Sequence, residues 1–289
     1  MGVKIQTIKD IRFFLFKELA AVYNEPEIRV LADTIIKTVT GSTKLYQLYD
    51  SNYLITLKEA ESIIAISEEL KTGRPIQYIL GETIFYNCII RVNTSTFIPR
   101  PETEEVVDLI VRENKGYDGY IIDFGSGSGC IAIALAANLP SAVVTGIDIS
   151  DDANRIAGEN AVLNNVNVSF KTADILNFDY ESIATAGLIV SNPPYVRYSE
   201  KLLMAKNVLD FEPPLALFVP DNDPLIYYKA ILETAEYLLL PGGRLYFEIN
   251  EAMGRQLTQL LESFEYSEIE IFHDINDKER IIKGRKNGR

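Results

Sequence analysis

The stretch that decides the fold is Tyr120-Ile121-Ile122-Asp123-Phe124-Gly125-Ser126-Gly127-Ser128-Gly129, followed at once by the helical run Cys130 to Asn138. A short apolar strand feeds a glycine-rich turn, and the turn feeds a helix. Glycine at 125, 127 and 129 lets the backbone approach a ligand closely and leaves N–H groups pointing at it. The spacing is G-x-G-x-G. It is not the dinucleotide G-x-G-x-x-G, because Cys130 stands where the last glycine would be. By itself the loop does not separate a nucleotide site from a plain strand-to-helix turn.

The residues downstream repeat the alternation. Val143–Asp148, Val168–Lys171, Leu188–Ser191 and Arg244–Ile249 read as further strands, with helical patterns between them. That is the signature of an α/β fold with a parallel sheet and crossover helices. A helix over Pro224–Leu240 precedes Pro241-Gly242-Gly243, read as a turn, and Glu268–His273 with Arg280–Lys283 reads as a closing antiparallel pair. Asp123 sits just before the glycine loop. Asp148 ends the next strand, nineteen residues after Gly129, where an acidic residue takes ribose hydroxyls. Asp174 follows the third strand, in position to accept from an adenine amino group. Asp148 and Asp174 also suit helix capping or turn formation, and both readings stand at this point.

The strand Leu188–Val190 runs into Ser191-Asn192-Pro193-Pro194-Tyr195. Two prolines cannot continue a ladder, so the chain turns out at the strand's carboxyl end, the edge where open α/β sheets bind ligands. Asn192 offers a side-chain acceptor and a donor, the prolines offer backbone carbonyls, and Tyr195 offers a flat face. Together they suit a planar NH2 group, with two acceptors for its two hydrogens and a ring to stack on. A bare strand-ending turn is the competing reading. The glycine loop, the carboxylates and the Pro-Pro turn all fall at carboxyl ends of neighbouring strands, and that convergence favours a site.

Upstream the periods are helical. Ile8, Ile11, Leu15, Leu19 and Val22 fall on one face, and Pro26 opens a second helix with Ile28, Leu31, Ile35 and Val39. A third segment surrounds Leu45 and Leu48. Thr56 with Glu59 is a capping-box pattern opening a helix through Ile63, Ile64 and Leu70 that stops at Gly73. The aromatics here, Phe13, Phe14, Phe16, Tyr23, Tyr46, Tyr49 and Tyr53, read as core rather than as a ligand box. Ile84–Tyr86 and Ile89–Val92 read as two strands around Asn87. Pro99-Arg100-Pro101 is an extended lead-in to a helix whose first turn carries Glu102, Glu104 and Glu105.

Composition narrows the function. The 289 residues are 47% hydrophobic and 24% charged, with a formal net charge of −13. Such an acidic chain lacks the basic footprint of a duplex binder. Cys88 and Cys130 form no CxxC, and His273 is the one histidine, so no metal site is expected and the compartment reads as reducing. His273, on a late strand, is not expected to be a base. Phe13–Phe16 is flanked too closely by charge for a signal core, and Gln6 stands where a myristoylation signal wants Ser or Thr. A cytoplasmic location is expected.

Several stretches together resemble one family. Gly73-Arg74-Pro75-Ile76-Gln77-Tyr78-Ile79-Leu80-Gly81, Phe97-Ile98-Pro99-Arg100-Pro101-Glu102-Thr103-Glu104, Asp123–Gly129, Ser191–Tyr195 and Phe211-Glu212-Pro213 look like the protein-(glutamine-N5) methyltransferases of the HemK/PrmC type. N-P-P-Y alone is shared with adenine-N6 methyltransferases; the stretch ahead of the glycine loop is more specific. The resemblance implies a class I S-adenosylmethionine-dependent methyltransferase, Rossmann-like, with a mostly parallel sheet and an antiparallel last strand. It implies a helical substrate-recognition domain at 1–80, a β-hairpin linker at 81–98 and the catalytic domain at 99–289. The implied substrate is a glycine-flanked glutamine in peptide chain release factors 1 and 2. Asn192, Pro193 and Tyr195 are the implied catalytic residues. Asp123, Gly125, Ser126, Gly127, Ser128, Gly129, Asp148, Ile175 and Asn192 are implied to bind the cofactor. Phe97, Arg100, Asn192, Pro193, Pro194 and Tyr195 are implied to bind substrate. Two stretches depart from the pattern: Leu217–Leu225 carries prolines where glycines are expected, and Glu248-Ile249-Asn250 has asparagine in place of glycine. The alternatives are an adenine-N6 methyltransferase on DNA or RNA, and a cofactor-binding module without catalysis.

Overall fold

The computed structural model describes residues 5–41, 53–180 and 183–288. The helical segment expected around Leu45 and Leu48, with Tyr46 and Tyr49, lies outside them, as does Met1-Gly2. The chain forms two compact units, one of Met1–Leu80 with Lys206–Phe211, the other of Gly81–Ala205 with Glu212–Arg289. No described helix is long and apolar enough to cross a membrane.

The first unit holds α1 (Ile8–Leu19), α2 (Glu25–Thr40), α3 (Leu57–Lys71) and α4 (Ile76–Leu80), together with the short helix Lys206–Phe211, α8 in chain order. The three longer helices all open with a capping box, Thr7 with Asp10, Asn24 with Glu27, and Thr56 with Glu59. Each box satisfies two backbone donors that would otherwise lack partners. Ile8, Ile11, Leu15 and Leu19 of α1 pack with Ile28, Ala32, Ile35 and Ile36 of α2 and with Ile63 and Leu70 of α3. The buried face of α2 is therefore turned toward Ala32 and Ile36, with Leu31 and Val39 at its margin. Val22 lies past the end of α1. Phe14 is buried, but Phe13 is 74% exposed, so the aromatics of α1 are not all core. Adjacent helical residues point about 100° apart, and one apolar stripe cannot hold both.

The second unit starts with a hairpin, β1 (Glu82–Phe85) and β2 (Cys88–Arg91), paired with Phe85 opposite Cys88. The loop is thus Tyr86-Asn87, and Tyr86 belongs to the turn rather than to the strand expected over Ile84–Tyr86. Both loop residues have positive φ, 44° and 65°, as a two-residue hairpin turn of the primed type requires. Tyr86 is held there by α5 (Pro101–Glu113): its N–H donates to Glu104 at 3.0 Å and its hydroxyl to Asp108 at 3.1 Å.

Next come β3 (Tyr120–Phe124), α6 (Cys130–Asn138), β4 (Val143–Asp148), α7 (Asp151–Leu163), β5 (Val168–Thr172) and β6 (Ala186–Ser191). They are followed by β7 (Val196–Arg197), β8 (Phe218–Val219), α9 (Ile226–Leu238), β9 (Leu239–Glu248), α10 (Gly254–Ser263), β10 (Tyr266–His273) and β11 (Glu279–Lys286). The main sheet has seven strands in the order β10-β11-β9-β6-β3-β4-β5. From β5 to β9 every pairing is parallel; β11 pairs antiparallel with both β9 and β10. The expected closing pair is present, with β11 inserted inside the sheet rather than at its edge. Pro241-Gly242-Gly243 does not separate α9 from a strand. It lies within β9 as an irregularity, since Leu239 pairs with Ala186 and Arg244 with Leu188. Ile122, Phe124, Ile189, Leu245 and Phe247 of the sheet pack with Tyr228, Ile231 and Leu232 of α9 and Leu257 and Leu261 of α10.

Two asparagines, Asn160 of α7 and Asn164 that caps its end, stand in for a missing strand beside β2. Asn160 accepts from Arg91 N at 2.8 Å and donates to Arg91 O at 3.0 Å; Asn164 does the same with Ile89 at 2.9 and 2.7 Å. Asn160 also donates to Ser128 O in the glycine loop at 2.9 Å. Asn160→Ala breaks all three bonds at a fully buried position. It is expected to lower unfolding free energy in urea by about 1–3 kcal/mol, because the Ser128 carbonyl is left without a partner. The more exposed Asn164→Ala serves as the milder comparison.

Candidate active site

Parallel strands β4 and β5 lie on one side of β3, and β6 and β9 on the other, so the carboxyl ends of β3 and β6 mark the point where the strand order reverses. Open α/β sheets bind ligands in that crevice. A cavity of about 440 Å³ opens there. Its walls include Phe124–Ser128, Asp148, Asp174, Ile175, Asn192, Pro193, Pro194 and Tyr195.

The glycine loop is shaped by β4. Gly125 and Ser126 donate to Ile147 O at 2.8 and 3.1 Å, and Gly127 N donates to Asp148 Oδ2 at 2.8 Å. Gly127 has φ +52° and faces open space. The other Asp148 oxygen accepts from Ser150 N at 2.9 Å, and burial raises its carboxyl above the ordinary aspartate range. Asp148 is thus both a loop clamp and a wall of the cavity. Asp174 caps the turn Ile175–Asn177 through Leu176 N at 2.9 Å, and it also lines the cavity. Both carboxylates thus hold a turn, as the capping reading expects, and both face the cavity.

Asp123 lies behind the loop rather than in the cavity wall. It is fully buried, and its Oδ2 accepts from Ala132 N at 3.2 Å at the start of α6. Burial pushes its carboxyl up to about 8. Gly129, the N-cap of α6, is also set back from the cavity. Arg100 is drawn to Glu212: its guanidinium pairs with the buried carboxylate and sits 4.6 Å over the Phe97 ring. The second Glu212 oxygen accepts from Ile98 N at 3.3 Å, so Glu212 fastens the extended lead-in. Phe97 lines the cavity; Arg100 does not. His273 is exposed at the end of β10.

One constellation is not legible from residue spacing. Asn192 Nδ2 donates to Thr103 Oγ1 at 3.2 Å, and Thr103 donates to Glu248 Oε2 at 2.6 Å. Tyr195 donates its hydroxyl to Glu248 Oε1 at 3.3 Å. Thr103 comes from α5 and Glu248 from the end of β9, so three distant stretches meet at Asn192. Thr103 stood within the Phe97–Glu104 motif and Glu248 at the end of a strand, yet nothing in their spacing joined them. The Asn192 amide is thereby oriented with Nδ2 toward Thr103.

Both departures from the family pattern are absorbed locally. Phe218-Val219 forms β8, which pairs parallel with β7, and Leu217 O just before it accepts from Val196 N at 2.9 Å. Asn250 does not adopt a positive φ, where glycine would be needed, and its Oδ1 accepts from Ala252 N at 2.9 Å.

Comparison with known proteins agrees with this geometry. Residues 106–210 match the family described as Methyltransferase small domain. The chain is 42% identical over 283 residues to a protein named release factor glutamine methyltransferase from Flavobacterium psychrophilum, covering 96% of this chain and 98% of the relative. A protein of the same name from Bacteroides thetaiotaomicron is 40% identical over 272 residues, covering 94% and 98%. The crystal structure of a methyltransferase from Pyrococcus furiosus shares the fold, with a TM-score of 0.52 at 14% identity over 80% of this chain and 100% of that one. The sheet, its reversal point and the glycine loop are those of class I methyltransferases, and the chain belongs to the release factor glutamine methyltransferase family.

Proposed function

We propose that this protein uses S-adenosylmethionine to methylate the side-chain amide nitrogen of the glycine-flanked glutamine in peptide chain release factors 1 and 2, in the cytoplasm. The observation that carries the reading is the placement of Asn192-Pro193-Pro194-Tyr195 beside the glycine loop in one cavity. The cavity fits the cofactor. Asp148 has lone pairs left for a ribose diol, Ser126 Oγ is buried without a partner, and Ile175 offers an apolar wall beside Asp174 for an adenine ring. When bound, S-adenosylmethionine supplies a methyl group activated by a sulfonium sulfur.

The protein's task is then to present a poor nucleophile. The amide lone pair is delocalised, as the rotation barrier of roughly 18–20 kcal/mol shows. Asn192 Oδ1 and the Pro193 carbonyl accept the two N–H bonds, hold the amide plane, and stabilise positive charge that builds on nitrogen as it is alkylated. Tyr195 stacks on the plane. Neither oxygen is basic enough to keep a proton, so the one displaced from nitrogen leaves to solvent. Phe97, with Arg100 and Glu212 behind it, walls the entrance for the peptide, and the helical unit is assigned to recognition of the rest of the factor.

Incubation with labelled S-adenosylmethionine and either purified release factor, followed by mass mapping, tests the reading. Label on the glutamine amide is expected. Unlabelled factors, or label taken instead by adenine in DNA or RNA, would replace it.

A further inference from the structure

We infer that Thr103 and Glu248 are positioning residues whose hydrogen-bond chain decides which end of the Asn192 amide faces the acceptor nitrogen. The inference rests on the amide-methylating reading of the site. A carboxamide has two ends of similar shape, and only its oxygen accepts. Turned over, Asn192 would set an NH2 against the substrate's NH2, donor against donor.

The geometry selects the productive end. An ionised Glu248 only accepts, so the Thr103 hydroxyl directs its single proton to Oε2 at 2.6 Å. The lone pairs of Thr103 then face Asn192, which must offer Nδ2, as it does at 3.2 Å. Oδ1 is left for the substrate. Glu248 is only 2% exposed, so no water replaces this partner. Its second oxygen takes the Tyr195 hydroxyl, so one carboxylate orders both an acceptor and the stacking ring.

Protonation reverses the chain. A neutral Glu248 donates through Oε2 to Thr103, Thr103 donates on to Asn192, and only Oδ1 can receive that bond. Burial raises the Glu248 carboxyl to about 7, against hydrogen bonds from Thr103 and Tyr195 and the charge of Arg280 on β11. The other titratable groups facing it are Glu102 on α5, Tyr228 on α9 and Cys130 at the start of α6.

The test uses the full chain with Glu248→Gln, Thr103→Val and Thr103→Ser. Wild-type kcat/KM for the release factor is expected to fall tenfold per pH unit below an inflection near 7. Glu248→Gln, whose NH2 can donate to Thr103, is expected to lower kcat/KM about 100-fold and to remove that inflection. Thr103→Val should match it and Thr103→Ser should restore the rate, with S-adenosylmethionine affinity by calorimetry within about twofold throughout. The second readout needs no turnover. The Asn192 side-chain NH2 resonances, assigned by their loss in Asn192→Asp, should move in Thr103→Val and across the wild-type inflection, but not with pH in Glu248→Gln. Wild-type rates in both Glu248→Gln and Thr103→Val, or NH2 resonances indifferent to them, overturn the relay. If wild-type protein puts no methyl on glutamine, the functional reading fails instead, and the resonances still decide the relay.

Discussion

Asn192→Ala is expected to lower kcat for glutamine methylation about 100- to 1,000-fold while S-adenosylmethionine still binds within about threefold of wild type. The side chain is one of two acceptors for the amide protons, and the charge it stabilises develops on nitrogen only as the new bond forms. Its loss therefore falls on turnover rather than on cofactor affinity. The main-chain acceptor at Pro193 survives the substitution and keeps the residual rate above zero. Single-turnover rates with the protein substrate, beside calorimetric titration of the cofactor, separate the two quantities. A variant that turns over at the wild-type rate would show that Asn192 is not the acceptor.

Gly129→Ala is expected to be strongly damaging, because the position combines a left-handed backbone with a closed space. The residue has φ +79°, and an added Cβ would stand 2.8 Å from Phe170 Cζ and 2.9 Å from Ala157 Cβ. The left-handed backbone costs an L-residue about 1–2 kcal/mol. Overpacking adds about 1–3 kcal/mol because α7 and β5 close on this point from one side. The loop must shift to relieve the contact, and it carries Gly127 N away from Asp148 and Ser126 N away from Ile147 O. Urea unfolding should show a clear loss of stability, and cofactor affinity should fall with it. An unchanged midpoint would mean that the loop yields more easily than these distances imply.

Local signals carried much of this structure in the sequence. The capping box of Thr56 with Glu59, the proline at the start of α5, the strand-to-glycine turn and the Pro-Pro stop after β6 each rest on neighbours within a few residues. Such signals survive without tertiary context. The sheet edge that gathers the glycine turn and the Pro-Pro stop follows from the rule that parallel strands are joined by crossover helices. What escaped depends on partners far away. Thr103 and Glu248 are 145 positions apart and meet only because α5 lies against β9. Asn160 reads as an ordinary helix residue until Arg91 and Ser128 are seen beside it. Tyr86 has the composition of a strand residue, and only its bonds to Glu104 and Asp108 hold it in the turn. Asp123 looked like part of the binding edge because it precedes the loop, yet strand alternation and the capping of α6 turn it inward.

The position of β11 bears on how the protein is made. Residues 279–286 fill the slot between β9 and β10, so the ribosome delivers an interior strand after both of its neighbours. Until then β9 presents an open, hydrogen-bonding edge to the cell, on the strand that carries Glu248. Arg280, whose carbonyl accepts from Ile249 N and whose guanidinium donates to Ile249 O, has yet to arrive beside it. The nascent chain thus passes through a stage in which the parallel half is built, buried Glu248 lacks the nearby charge of Arg280, and an unpaired strand invites chaperones or a neighbouring nascent copy.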